Sequence, residues 1–258
     1  MIQYAAMSDV GRRRSQNQDR WAVHPELGLF LIADGMGGQA AGDVAAEIVA
    51  QALPFQLAQR LKHSGSEINH DIIDQVAAAV RELNDILLEE TRGQQGLEGM
   101  GATLVMLLVR GDQALVVHLG DSRAYLYRDG VLAQLTRDHT LLQMLLDRGE
   151  VMPADAAQHP LRSSLTRFIG GADSRPESQI LSLRSGDCLL LCSDGLSSCV
   201  EEAELRELLN RPGDVAARCR ALIDAGNGAG GRDNITSLVI EVVEPEDAEG
   251  EQVMQRLE

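Results

Sequence analysis

Positive charge is in short supply in this sequence: 23 lysines and arginines face 39 aspartates and glutamates, for a net charge of −16 over 258 residues. That balance argues against non-specific nucleic-acid binding and against an anionic membrane surface, because both need basic patches. It suits divalent cations, although an acidic composition by itself selects no ligand. Long apolar runs are missing as well. The longest are about strand length, far below the ~20 residues of a spanning helix. The opening MIQYAAMSDVGRRR has too short an apolar run for a signal peptide. Cysteine is sparse: Cys188, Cys192, Cys199 and Cys219 show no CxxC spacing and no paired His–Cys arrangement, so they read as buried reduced thiols. We therefore expect a soluble cytoplasmic protein. A chain this long buries roughly 70–75% of its unfolded surface and needs no disulfide to stay folded.

What is present is a strand-rich pattern with helices set apart from it. LFLIA before Asp34 reads as a buried strand, and the polar segment before it as another. Ala45, Ile48, Val49, Ala52 and Leu53 follow helical spacing within 41–62, where Pro54 marks a kink or a second start. Ile73, Val76, Ala77, Val80, Leu83 and Leu87 give a second amphipathic helix, and the Gly-rich stretch 93–101 a loop. TLVMLLV and ALVVHLG flank Arg110-Gly111-Asp112, and Asp129-Gly130 suits a type I′ hairpin. Such short connections predict an antiparallel meander. Residues 138–176 switch to helix and turn character; CLLLC returns to strand; helices follow at 201–210 and 214–225; ITSLVIEVV closes the sheet. Helices grouped apart from antiparallel strands indicate an α+β class, which two packed sheets with helices outside would satisfy.

One construction recurs: an apolar strand, a small residue, then Asp followed by a small residue. It stands at LFLIAD-G (Asp34), VVHLGD-S (Asp121) and LLLCSD-G (Asp194), and Asp233 precedes the last strand. Any one of these could simply start a turn, which Asp-Gly often does. Four together suggest carboxylates converging from strand ends on a rigid sheet. Such a cluster repels itself and raises its own pKa values unless a cation neutralises it. Carboxylate, carbonyl and water ligands select Mg²⁺ or Mn²⁺, and two such ions can drive in-line displacement at phosphorus.

The residues Arg14-Ser15-Gln16-Asn17-Gln18-Asp19, Asp34-Gly35-Met36-Gly37-Gly38, Met100-Gly101-Ala102-Thr103, Gly120-Asp121-Ser122-Arg123, Leu135-Thr136-Arg137-Asp138-His139, Ser193-Asp194-Gly195 and Asp233-Asn234 occur in an ordered series. That series resembles the bacterial-type PPM, or type 2C, protein phosphatases from about residue 4 to residue 243. The resemblance implies a β-sandwich of two antiparallel sheets flanked by helix pairs. It implies one phosphatase domain over 1–243, with a flap at about 138–176 that contributes to substrate choice; the acidic residues from Glu244 on read by themselves as a solvated tail over 244–258. Asp34 matches the carboxylate bridging two metals, the Gly35 carbonyl a ligand of one, and Asp194 and Asp233 ligands of the other. Asp19 matches an acid contacting the metal waters, and Asn234 a supporting residue. Arg14 matches the phosphate-holding arginine, a role that its planar fork suits. The implied reaction is hydrolysis of phosphoserine or phosphothreonine in proteins by a metal-bridging hydroxide, with two Mn²⁺ or Mg²⁺ ions. The implied partners are phosphoproteins, among them a Ser/Thr kinase or its targets, and the implied state is a monomer. There is no Cys-x5-Arg loop, so a cysteine-dependent mechanism is unsupported.

Three positions depart from the family pattern. Gln18 replaces a frequent Glu, and Met36 stands where eukaryotic relatives place a histidine. Ser198 occupies the position of an Asp that would help Asp121 hold a third metal, which leaves a third site either absent or weak and dependent on Asp121 and water. Two competing readings follow. Gly35-Met36-Gly37-Gly38-Gln39-Ala40 fits a dinucleotide fingerprint, although Asp34 would repel the pyrophosphate. Gln18 and Ser198 also fit a weakly active or inactive phosphatase-like module that binds phosphoproteins. Of the histidines, His118 reads as a satisfied core residue, and His139 and His159 as turn or surface residues.

Overall fold

Strands whose residues are apolar at every position serve two cores at once, and this is how the chain is built. A computed structural model describes residues 1–37, 41–92 and 99–244. In β3 (Leu29–Met36), Leu29, Leu31 and Ala33 face one cluster while Phe30 and Ile32 face another. In β10 (Cys188–Cys192), Cys188, Leu190 and Cys192 face outward to helices and Leu189 and Leu191 inward. LFLIA and CLLLC are therefore uniformly apolar because both faces are buried, each buried Leu or Ile contributing roughly 1.5–3 kcal/mol.

Two antiparallel sheets result. One runs in the order β1 (Ile2–Asp9), β11 (Ile235–Val242), β10, β7 (Arg123–Arg128), β8 (Val131–Gln134). The other runs β2 (Asp19–His24), β3, β5 (Leu104–Arg110), β6 (Gln113–Leu119), β9 (Glu177–Ser182), with β4 (Gly101–Ala102) paired to β3. Their inner faces share Phe30, Ile32, Val105, Leu107, Leu189, Leu191, Leu238 and Ile240. α1 (Ala41–Arg60) and α2 (His70–Thr91) cover the second sheet; α4 (Asp194–Ser197), α5 (Glu202–Leu209) and α6 (Val215–Gly228) cover the first. The expected α+β sandwich with helices on both outer faces is what the chain forms. No described helix is long and apolar enough to cross a membrane.

Four expectations need correction. The strands from Leu104 to Gln134 do not form one meander. β5–β6 is a hairpin in one sheet and β7–β8 a hairpin in the other. The chain changes sheets at Gly120 (φ 112°), and a sheet-switching corner looks like a turn in sequence. Asp129 (φ 52°) and Gly130 (φ 80°) do adopt the two left-handed conformations that a type I′ turn needs. Of the two readings of Pro54, a second start is overturned: α1 runs through it, without the helical hydrogen bond that its missing N–H would have donated. Gly101 lies in β4 rather than a loop, while 93–98 of the expected loop lie outside the described residues. His139 is buried, not a surface residue. The acidic tail beyond Glu244 and the Gly38–Ala40 part of the fingerprint also lie outside them. β3 pairs antiparallel with both neighbours, which excludes the parallel βαβ unit of a dinucleotide site. Residues 138–176 hold α3 (Leu141–Asp147), with Leu142 and Ile169 the buried hydrophobic side chains of the stretch.

Candidate metal centre

The strand ends that carry the recurring Asp construction meet at one end of the sandwich. Asp19 opens β2 and lies directly opposite Asp34 of β3 in the antiparallel register. Those two belong to one sheet. From the other come Asp194, the first residue of α4 after β10, and Asp233, which precedes β11. Asp121 sits at the corner where the chain crosses between sheets. The residues thus converge from distant parts of the sequence.

Their charges act on one another. Burial, then the charges of Asp19, Asp194, Asp121 and Asp233, holds the Asp34 carboxyl well above the ordinary carboxylate value. Burial, with Asp194 and Asp138 next, raises Asp121 likewise. Burial pushes Asp19 up to about 6 against hydrogen bonds from Thr236 and Ser193, with Asp233 adding repulsion. Burial and the charges of Asp233 and Asp19 bring Asp194 to about 6. Asp34 and Asp194 remain partly exposed.

The glycines after two of these aspartates explain their sequence pattern. Neither Gly35 nor Gly195 has a left-handed backbone. A Cβ on Gly35 would lie 2.0 Å from the Gly42 carbonyl oxygen, and one on Gly195 would lie 1.9 Å from that of Asn234. The Asp-Gly pairs therefore reflect close backbone approach rather than turns. Thr103 ties the corner to β3: its hydroxyl accepts the Asp34 N–H at 3.0 Å and pairs with the Ser122 hydroxyl at 2.7 Å.

Arg14 lies at the edge of the cluster, half exposed, with its guanidinium 2.6 Å from Asp233 Oδ2. Asn234 holds the loop that carries it: its side-chain oxygen accepts the Gln18 N–H at 2.8 Å, and its amide donates to the carbonyls of Val10 and Gln16. Ser198 is exposed and caps α4 through its backbone N–H to the Asp194 carbonyl at 2.8 Å. Sequence reasoning gave no role to the hydroxyls of Ser193 and Thr236, which bond Asp19; Ser193 stands in the Ser193-Asp194-Gly195 motif, but an uncharged side chain does not reveal which distant carboxylate it bonds.

A further group of potential ligands, His118, His139 and Glu177, lies among the described residues. The two rings stack at 4.5 Å with planes 19° apart, so one ion cannot lie in both ring planes. His139 Nδ1 already accepts the Gly120 N–H at 3.1 Å, and His118 Nε2 donates to the Arg137 carbonyl at 2.8 Å. These histidines brace the Gly120 corner; the donor set for a hard cation is the aspartate cluster.

The Protein phosphatase 2C family model matches residues 11–224. The chain belongs to this family. Among type 2C phosphatases it is 40% identical over 244 residues to the serine/threonine protein phosphatase PstP of Mycobacterium tuberculosis H37Rv, covering 95% of this chain and 46% of that protein. The chain therefore spans about half the length of that relative. It is 34% identical over 239 residues to the serine/threonine phosphatase Stp of Listeria monocytogenes EGD-e, covering 91% of this chain and 93% of that one. The PstP catalytic domain in complex with two manganese ions superposes with a TM-score of 0.81 at 37% identity, covering 94% of this chain and 99% of that one. The type 2C resemblance drawn from the ordered motifs is thus borne out.

Proposed function

We propose that this chain hydrolyses phosphoserine and phosphothreonine in proteins, using two Mn²⁺ or Mg²⁺ ions held by Asp34, the Gly35 carbonyl, Asp194 and Asp233. The observation that carries this reading is the convergence of acidic side chains from both sheets on Asp34, whose carboxyl is raised by four neighbouring aspartates as well as by burial. Such repulsion is unfavourable without a cation. The residues fit the ions in a second respect: Asp19 Oδ1 is buried and has no hydrogen-bond partner. When bound, a pair of divalent ions lowers the pKa of water and stabilises charge at phosphorus.

The chain's own residues supply orientation. Arg14 exchanges its contact with Asp233 for two oxygens of the substrate phosphate, which its fork geometry matches. Asn234 keeps the Arg14 loop over the centre. Asp19 would reach bound ions through water. Asp121, without an acidic partner at Ser198, contributes charge but does not complete a third site.

On this reading residues 1–243 form one phosphatase domain and 138–176 are a flap beside the centre. The enzyme is a cytoplasmic monomer that opposes a bacterial Ser/Thr kinase in signalling. A binding module with weak or no activity is the second reading, favoured by Gln18 and Ser198. The test is Mn²⁺-dependent hydrolysis of a generic phosphoester and of a phosphothreonine peptide, with Asp194→Ala as control. Turnover abolished by the substitution supports the enzyme. A chain inactive with both Mn²⁺ and Mg²⁺, yet retaining phosphopeptide affinity, supports the module.

A further inference from the structure

Asp19 has two oxygens in unlike surroundings. Oδ2 accepts hydrogen bonds from the Ser193 hydroxyl at 2.7 Å and the Thr236 hydroxyl at 2.6 Å. Oδ1 is buried and has no partner. Asp19 is 3% exposed, and Ser193 and Thr236 are fully buried.

The chemistry of the partners gives the arrangement a direction. A carboxylate only accepts, so both hydroxyl protons are committed to Oδ2. The Ser8 hydroxyl, 2.7 Å from Thr236 Oγ1, must then be the donor in that pair. Behind it, the Asn17 side-chain amide donates to Ser8 Oγ at 2.7 Å. The Thr236 N–H donates to Ser193 Oγ at 3.0 Å. Every donor in this series points toward the same oxygen, and each polarises the next.

The series also crosses the sandwich. Asp19 lies on β2 of one sheet; Ser193 follows β10 and Thr236 lies on β11 of the other. Asp34 faces Asp19 in the ladder, and Asp194 follows Ser193 in the chain. The two hydroxyls therefore bridge β2, the ladder partner of the strand that carries Asp34, to the strand ends that carry Asp194 and Asp233.

We propose that Ser193 and Thr236 are positioning residues that saturate Asp19 Oδ2, leave Oδ1 alone to face the cation centre, and lock the two sheets at the spacing the cations require. The proposal rests on the metal reading above. If the hydroxyls only satisfied a buried acid, removing one would alter stability and leave cation affinity intact.

The experiment is calorimetric titration of the full chain with Mn²⁺, for the wild type and for Thr236→Val, Thr236→Ser, Ser193→Ala and Ser8→Ala, each with a melting temperature in EDTA. Thr236→Val and Ser193→Ala should weaken Mn²⁺ binding by roughly 10–100-fold, as loss of outer-shell partners does. Thr236→Ser keeps the hydroxyl and should stay within about threefold of the wild type on the same warrant. Folded Thr236→Val and Ser193→Ala proteins with wild-type affinity would overturn the proposal while leaving the metal reading intact. Failure of the wild type to bind Mn²⁺ or Mg²⁺ would overturn both. If Thr236→Val does not fold, the exposed Ser8→Ala decides: a smaller loss in the same direction supports the directed series, and unchanged affinity refutes it.

Discussion

Replacing Asp194 by asparagine should stabilise the metal-free protein while weakening its response to metal. Asp194 is raised from 3.8 to about 6, first by burial and then by the charges of Asp233 and Asp19. At 1.36 kcal/mol per pH unit, that rise corresponds to about 3 kcal/mol. Solvent reaches the partly exposed carboxylate, so we expect ~1–2 kcal/mol to be realised. The sign follows from proton linkage. The folded-state pKa lies above the unfolded one, so the folded chain holds more protons between about pH 4 and 6. Stability therefore falls as pH rises through that window, and the penalty is fully present near neutrality. Asp194→Asn keeps the shape and removes the charge. For a chain of this size ~1–2 kcal/mol raises the melting temperature by about 2–8 °C. Scanning calorimetry in EDTA should show this rise at neutral pH and little of it near pH 4. Added Mn²⁺ should raise the wild-type melting temperature and raise the variant's by clearly less. An EDTA melting temperature that falls on substitution, or a variant that keeps the full Mn²⁺ shift, would refute the account of the centre as a self-repelling cluster awaiting cations.

Other expectations follow from individual contacts. Arg14→Gln should raise KM for a phosphothreonine peptide about 10–100-fold, the equivalent of ~1.5–3 kcal/mol for a charged hydrogen bond, with less effect on kcat in steady-state assays. Gly195→Ala places a Cβ 1.9 Å from the Asn234 carbonyl oxygen. It should cost about 1–3 kcal/mol in urea unfolding and reduce Mn²⁺ affinity in the same preparation. Burial, and then the His118 ring, pushes His139 down to about 4. The unfolded chain takes up that proton near pH 6.5, so stability drains away as pH falls from about 6.5 to 4. His139→Asn, which retains an acceptor for the Gly120 N–H and does not titrate, should lose less melting temperature between pH 7 and 5. Equal losses in the two proteins would count against the buried neutral ring.

Much of this protein is written in local sequence. Runs such as LFLIA and CLLLC, helical spacing at Ala45–Leu53 and Ile73–Leu87, and Asp129-Gly130 specify their elements because burial period and turn chemistry act within a few residues. The repeated strand–Asp construction marked Asp34, Asp121 and Asp194 as candidates for the same reason, and the motif order pointed to the family. Tertiary structure decided the rest. Where the chain changes sheets at Gly120 depends on which face of β6 and β7 meets the other sheet, and both faces are apolar. The edge strand β9, largely exposed, has no periodicity to betray it. Gly35 and Gly195 read as turn glycines until the carbonyls of Gly42 and Asn234 appear against them. The bonds from Ser193 and Thr236 to Asp19 span sequence separations of 174 and 217 residues, and only the packed sandwich brings them together. Carboxylates can be recognised by type and spacing; the uncharged groups that aim them are defined by position in space.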